Sequence, residues 1–146
     1  MLFDLCSKGI FFPVNTFFSE FDEIMVFDSF KNLPLNEEKA RFDNLFHTIT
    51  NDKTLISFIE FRLNKNESRK RKMDRFKAIS KHFDSRKVDK SRFTLVFIED
   101  EEERTTIWVQ PQDAKFVPLL IEKTESYYLV KADKLKERIN ELFPNK

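Results

Sequence analysis

Glycine is nearly missing from this sequence: Gly9 is the only one among 146 residues. A phosphate-cradling loop, a dinucleotide fingerprint and a nucleophile elbow each need several glycines, because backbone must approach a ligand closely or take positive φ. None of them can be written here. Cysteine is equally scarce, and Cys6 alone excludes an internal disulfide framework and a cysteine-cluster zinc site. The two histidines, His47 and His82, stand 35 residues apart, so the paired-histidine helix of a zinc protease is absent too. No apolar run approaches the ~18–20 residues of a membrane-spanning helix. The expectation is a chain with no membrane span, no bound metal and no organic cofactor.

The beginning of the chain lacks the marks of an export signal. Asp4 and Lys8 interrupt the apolar stretch of residues 1–21, and Pro13 and Asn15 follow soon after. A signal peptide has instead a basic start, a clean apolar run of ~7–15 residues and small residues at the cut. Cys6 follows Phe3-Asp4-Leu5 rather than the small residues that precede a lipoprotein cysteine. Phe11 and Phe12 read as a core-packing strand or as the staple of a short N-terminal arm, residues 1–23. A cytoplasmic product is the default expectation; a mature or truncated chain of the cell envelope or periplasm has the same appearance.

What is present is charge and a core. The length suits one domain of ~100–200 residues, and a domain of this size buries ~68–70% of its unfolded surface without needing staples. Hydrophobic residues make up 40% of the chain, which argues against a disordered tail. The 26 basic and 25 acidic residues leave a net charge of +1. They are unevenly placed. Residues 62–92 hold 13 basic against 4 acidic side chains, and residues 93–103 hold 5 acids and no base.

Periodicity supplies the elements. Ile24 to Phe30 reads as a strand, mostly apolar and therefore central. Asn32-Leu33-Pro34 turns the chain, and Asn36 is the expected N-cap of a helix over 36–50 with Glu37 and Glu38 in its first turn. Ala40, Phe42, Leu45, Phe46 and Ile49 recur at helical spacing along it. A strand follows at 55–63, then a helix over 67–83 burying Met73, Phe76, Ile79 and Phe83. Two strands at 93–98 and 105–109 flank a charged hairpin loop, Glu99 to Arg104. A short strand at 127–130 and a helix over 132–143, ended by Pro144, complete the chain. The order β-α-β-α-β-β predicts an α+β two-layer sandwich, one mixed sheet with two helices on one face, plus a C-terminal strand and helix. The division is an arm (1–23), the α+β domain (24–118) and an extension packed on the same domain (119–146).

Three constellations carry chemistry. Ser68-Arg69-Lys70-Arg71-Lys72 opens a basic helix that can grip phosphates, although no neighbouring exposed aromatics offer base stacking. On a helix Arg69 and Lys72 lean toward the apolar stripe, Lys70, Lys77 and Lys81 share one flank, and Arg71, Arg75 and His82 share the other. Glu99-Asp100-Glu101-Glu102-Glu103 suits hard cations in type but lacks the glycine turn and carbonyl ligands of a dedicated loop. Glu60 and Arg62, with Asp28 and Asp43, resemble the scattered acids of a metal-dependent hydrolase, with arginine where lysine is wanted. His82 reads as a partly exposed cap residue near the helix end, and Trp108 with Phe93, Leu95 and Phe97 as hairpin core.

The succession also resembles a family. Phe27-Asp28 in a strand followed by Asn36-Glu37-Glu38-Lys39-Ala40-Arg41-Phe42-Asp43-Asn44-Leu45 in a helix is similar to the opening of OmpA-like domains, the peptidoglycan-associating modules of bacterial envelopes. Arg75 to Phe83, Arg86 to Phe93 and Thr105 to Pro111 are similar to the family's second helix, its continuation and its last strand. The resemblance covers about residues 26–118. It implies an OmpA-like fold, a cell-wall or protein partner, and a ligand-binding arginine at Arg75, with Arg71 and His82 on the same flank. In the peptidoglycan-binding members an aspartate after the second strand holds the ammonium of diaminopimelate. Here Asn64-Lys65-Asn66 supplies none. The expectation is therefore a non-enzymatic binding module without cell-wall peptide recognition. A nucleic-acid-associated protein using helix 67–83 is the alternative, and a metal-dependent hydrolase a weaker one.

Overall fold

The computed structural model of the protein describes residues 25–112 and 127–144. Five strands and three α-helices follow in the order β1 (Met25–Phe30), α1 (Leu35–Asn51), β2 (Leu55–Asn64), α2 (Arg69–Arg86), β3 (Phe93–Asp100), β4 (Arg104–Pro111), β5 (Tyr127–Lys131) and α3 (Leu135–Leu142). The sheet order is β1-β4-β2-β3-β5. β2 and β3 pair in parallel, and every other pairing is antiparallel. This is the α+β two-layer arrangement that the element order predicts, with α3 as a third helix.

Alternation along the strands explains why the helices gather on one face. Phe30, Thr105, Phe61, Phe97 and Tyr128 stand in one row across the sheet, and Ile107, Ile59, Leu95 and Val130 in the next. Those rows meet Phe42, Phe46 and Ile49 of α1, Phe76, Ile79 and Phe83 of α2, and Leu135 and Ile139 of α3 in one core. Phenylalanine does most of the filling. The ring centroids of Phe46 and Phe83 are 4.8 Å apart, of Phe61 and Phe76 4.9 Å, and of Phe76 and Phe97 5.0 Å, the last two edge-on. Such pairs add ~0.5–1.5 kcal/mol each beyond the area they bury. β5, α3 and Phe143 join the same core, so the described part of the C-terminal extension is packed on the domain. The N-terminal arm, with Cys6, Phe11 and Phe12, lies outside the described residues, as do residues 113–126.

Several local expectations are corrected. β1 is an edge strand, not a central one: β4 returns from its hairpin between β1 and β2, leaving Met25 60% and Val26 50% exposed. Asn36 is not the cap of α1. Pro34 holds that place, and its carbonyl accepts from the backbone N–H of Glu37 and Glu38, both at 3.0 Å. Ala40 is exposed, and Glu38 takes the inward position in its stead. α2 begins at Arg69, because Ser68 Oγ caps it by accepting from the Arg71 N–H at 3.2 Å. The hairpin tip shrinks to residues 101–103. The tail helix is divided into a 3-10 turn, Ala132–Lys134, and α3. Trp108 stands opposite Phe58, on the far face from Phe93, Leu95 and Phe97, and so takes no part in their core.

Near-absence of glycine leaves one mark on the backbone of the described residues. α2 ends with Lys87 at φ 57° and ψ 37°, the left-handed position that glycine usually fills. A side chain there costs ~1 kcal/mol. Lys87→Gly is expected to raise unfolding free energy by roughly 0.5–1 kcal/mol. A denaturant midpoint that stays unchanged or falls would show that the αL residue is not strained.

Candidate functional site

β1 and β2 point the same way, so the loops leaving their carboxyl ends, the first turns of α1 and α2, and the β3–β4 hairpin converge at one end of the molecule. Between them lies a groove of about 460 Å³, walled by Leu33 to Leu35, Glu38, Glu67, Arg71, Asp74, Arg75 and Glu103. An adjoining hollow of about 240 Å³ adds Asn64 and Asn66.

Arg75 forms the floor. Its Nε donates to Glu38 Oε1 at 3.2 Å, and Nη2 donates to Glu38 Oε2 and, at 3.2 Å, to Thr105 Oγ1. Nη1 lies 3.3 Å from Glu103 Oε2 without an aligned hydrogen bond. The guanidinium carbon sits 5.3 Å from the Phe61 ring centroid and 4.9 Å from that of Phe76. Only 14% of the Arg75 side chain and 3% of the Glu38 side chain remain exposed. Arg75 is therefore no lightly held rim residue. It is the cationic half of a buried, forked pair. Arg71, one turn earlier, is exposed and stands 3.7 Å from Glu67.

The flank of α2 does not act as one site. Arg71 and Arg75 share the groove, but His82 lies two turns further along, buried rather than partly exposed, where its Nε2 meets Asp43 Oδ1 of α1 at 2.8 Å. Arg86 Nε and Nη2 donate to the same carboxylate at 2.8 and 3.1 Å. Those Arg86 hydrogen bonds, more than His82, hold the Asp43 carboxyl below the usual carboxylate range against the opposing effect of burial. Seen along the seam, α1 supplies Glu38 and Asp43, and α2 supplies Arg75, His82 and Arg86.

No family model, curated protein or solved structure matches the chain.

The basic and acidic segments meet. Arg62 Nη1 reaches Asp100 at 3.0 Å, Lys65 reaches Glu101 at 3.0 Å, Lys31 lies 3.8 Å from Glu102, and Arg75 adjoins Glu103. Within α2, Lys70 reaches Asp74 at 2.8 Å. Arg69 donates to the Phe143 carbonyl at 2.5 Å, tying α2 to the end of α3 as its lean toward the apolar stripe suggests. The three scattered acids do not converge. Asp28 accepts from Arg41 at 2.7 Å on the helical face, Asp43 lies on the α1–α2 seam, and Glu60 faces the other side of the sheet beside Arg62 and Trp108. Among the described residues no three histidine, cysteine or acidic side chains group as a metal site.

Glu38, Glu67 and Glu103 are the groove residues that sequence reasoning misses. Glu38 does carry a signal, because it keeps the inward phase of Phe42, Leu45 and Ile49. Burial pushes the Glu103 carboxyl above the usual glutamate range; Arg75 pulls it back, while the carboxylates of Glu67 and Glu38 push it further up.

Two outcomes follow from the ion chemistry. Arg75→Ala strands the buried Glu38 carboxylate and is expected to cost ~3 kcal/mol or more. Arg75→Met with Glu38→Leu should recover most of that loss, and a double variant no better than the single one would refute the pairing account. Glu103 acts with the opposite sign. Its folded pKa is raised, so folding takes up a proton, and stability is lost as pH rises from the unfolded value of about 4.3 upward. Glu103→Gln should raise the thermal midpoint at pH 7 and leave it nearly unchanged at about pH 3, where both states are protonated. A lower midpoint at pH 7 would show that attraction to Arg75 outweighs burial.

Proposed function

We propose that this chain is a non-enzymatic binding module of OmpA-like type that does not hold cell-wall peptides and engages a protein partner through the groove. The observation that carries the reading is the state of Arg75. The family resemblance gives that arginine a ligand carboxylate; here its guanidinium is turned on Glu38 and Thr105. A ligand carboxylate would have to displace Glu38 and leave it buried without a partner. Around that pair, Glu67 and Glu103 outnumber Arg71, while Asp74 is held by Lys70. The groove thus favours a cationic group, such as a lysine or arginine side chain, over a carboxylate. The β-α-β-α-β-β order supports the OmpA-like part of the reading.

A nucleic-acid role for α2 is the second reading. What favours it is Lys77 and Lys81, which are exposed and in no ion pair among the described residues. Against it stand the acids that neutralise Lys70, Arg71 and Arg86. A metal-dependent hydrolase draws no support from acids that stand apart.

Three titrations separate these readings. A diaminopimelate-containing peptide is expected to give no saturable heat, and binding that Arg71→Ala or Arg75→Ala abolishes would restore the envelope-anchoring function. In amide-shift mapping, guanidinium ion at non-denaturing concentration should move Glu67, Arg71 and Glu103, while acetate should not; the reverse preference overturns the cationic-ligand reading. Retardation of an RNA or DNA oligonucleotide at low salt, lost steeply as salt rises and weakened by Lys77→Glu and Lys81→Glu, would put the second reading first.

A further inference from the structure

Two carboxylates in the groove lack the hydrogen bonds that burial calls for. Glu67 and Glu103 keep only 17% and 18% of their side chains exposed, and both line the hollow beside the groove. Neither accepts a hydrogen bond among the described residues. Glu67 has Arg71 Nε at 3.7 Å, and Glu103 has the unaligned Arg75 Nη1 at 3.3 Å. Closer pairs form readily elsewhere on α2, as Lys70 with Asp74 and Arg86 with Asp43, both at 2.8 Å. Burial raises the Glu103 carboxyl, and Glu67 and Glu38 are near enough to raise it further despite Arg75. The hollow therefore holds acceptors and negative charge that the chain itself leaves incompletely matched.

Helix ends at this place do not reverse that preference. The first turns of α1 and α2 face the groove, and helix N-termini ordinarily attract anions. Here several of their donors are engaged already. The Pro34 carbonyl accepts from the Glu37 and Glu38 N–H groups, and Ser68 accepts from Arg71 N–H through its side chain and from Lys72 N–H through its carbonyl. Glu37 and Glu38 also place acid in the first turn of α1.

The walls narrow the occupant further. A guanidinium is planar, carries more N–H donors than an ammonium and is more weakly hydrated, so it can face carboxylates from two segments while giving up water. The amides of Asn32 and Asn66 line the same hollow and offer further acceptors. Past the hollow the groove continues along Leu33, Pro34 and Leu35. Leu35 is 39% exposed, and Pro34, with its fixed φ and its carbonyl engaged by α1, sets this apolar wall before anything binds. A small cation alone would leave that wall in water. We propose that the partner presents an arginine next to an apolar residue on a peptide segment, the guanidinium entering the hollow at Glu67 and Glu103 and the apolar neighbour lying on Leu33 to Leu35; this rests on the cationic reading of the groove.

The probe is a capped leucine-arginine-leucine tripeptide, titrated into the full chain and followed by amide shifts. Saturable movement of Glu67, Glu103 and Leu35 is expected. The citrulline tripeptide, which keeps the shape and loses the charge, should bind about tenfold more weakly, and the lysine tripeptide about threefold more weakly. Glu67→Gln and Glu103→Gln should each weaken the arginine tripeptide about tenfold, and Leu35→Ser should weaken it as well. Equal binding by the citrulline tripeptide, or no effect of either glutamine variant, overturns the proposal. The failure of this inference is distinct from that of the reading beneath it. If guanidinium ion moves Glu67 and Glu103 but lysine serves as well as arginine, or glycine-arginine-glycine binds as tightly as the leucine peptide, the arginine-and-apolar partner falls and the cationic groove stands. If neither guanidinium ion nor any charged tripeptide moves those residues, both fall.

Discussion

Glu38 and Arg75 are two full charges taken out of water at the seam between α1, α2 and the sheet, and the local architecture is arranged to make that tolerable. A buried carboxylate or guanidinium alone carries a penalty of several kcal/mol. Here the forked contact, the Thr105 hydroxyl and the faces of Phe61 and Phe76 offset that penalty together, while Nη1 has only the unaligned approach of Glu103. The start of α1 is thereby fixed to the first turns of α2 and to the beginning of β4. The same pair decides what the groove can do. With the arginine spent internally, Glu67 and Glu103 on the rim are left with Arg71 as their exposed countercharge, and Asp74 with Lys70.

The polarity of the sequence is resolved by topology. β2 and β3 are parallel neighbours in a register that sets Asn64 beside Asp100. Arg62 near the end of β2 and Lys65 just after it consequently land against the acidic hairpin after β3. Each surface pair formed there is worth only ~0–1 kcal/mol, so the gain is cancellation of charge more than stability. A chain segment with a large positive excess thus produces no matching positive patch at this end of the molecule. Further along α2, Lys77 and Lys81 are exposed and form no ion pair among the described residues.

Much of the fold could be read from the residues because each element kept one period. Phe42, Leu45, Phe46 and Ile49 announce α1; Met73, Phe76, Ile79 and Phe83 announce α2; all eight are buried. Strand order was less accessible. An apolar run such as Met25-Val26-Phe27 looks alike in a central strand and in an edge strand, and only the return of β4 distinguishes them. The candidate site was readable in part. The resemblance points to Arg75 and helix geometry sets Arg71 on its flank, but neither shows their partners, since Glu38, Glu67 and Glu103 come from three separate segments. His82 shows the limit of flank arguments: seven residues along a helix is ~10 Å, enough to put it in another environment.

Constraints on the remaining surface narrow where the proposed partner can sit. The exposed edge of β1 carries Met25 and Val26, which would invite strand pairing if it were flat and regular. It is neither. The register shifts between Val26 and Asp28, and a bulge of this kind twists an edge away from a straight partner. Asp28 is also turned to Arg41 on the helical face. The groove is different in kind. Its floor is held rigidly by the Glu38–Arg75 pair, whereas Glu67 and Arg71 on its rim are joined by one long contact and are free to exchange it for another. A rigid floor with exchangeable ions around it is what a recognition site requires, because the ordering is already in place before the partner arrives.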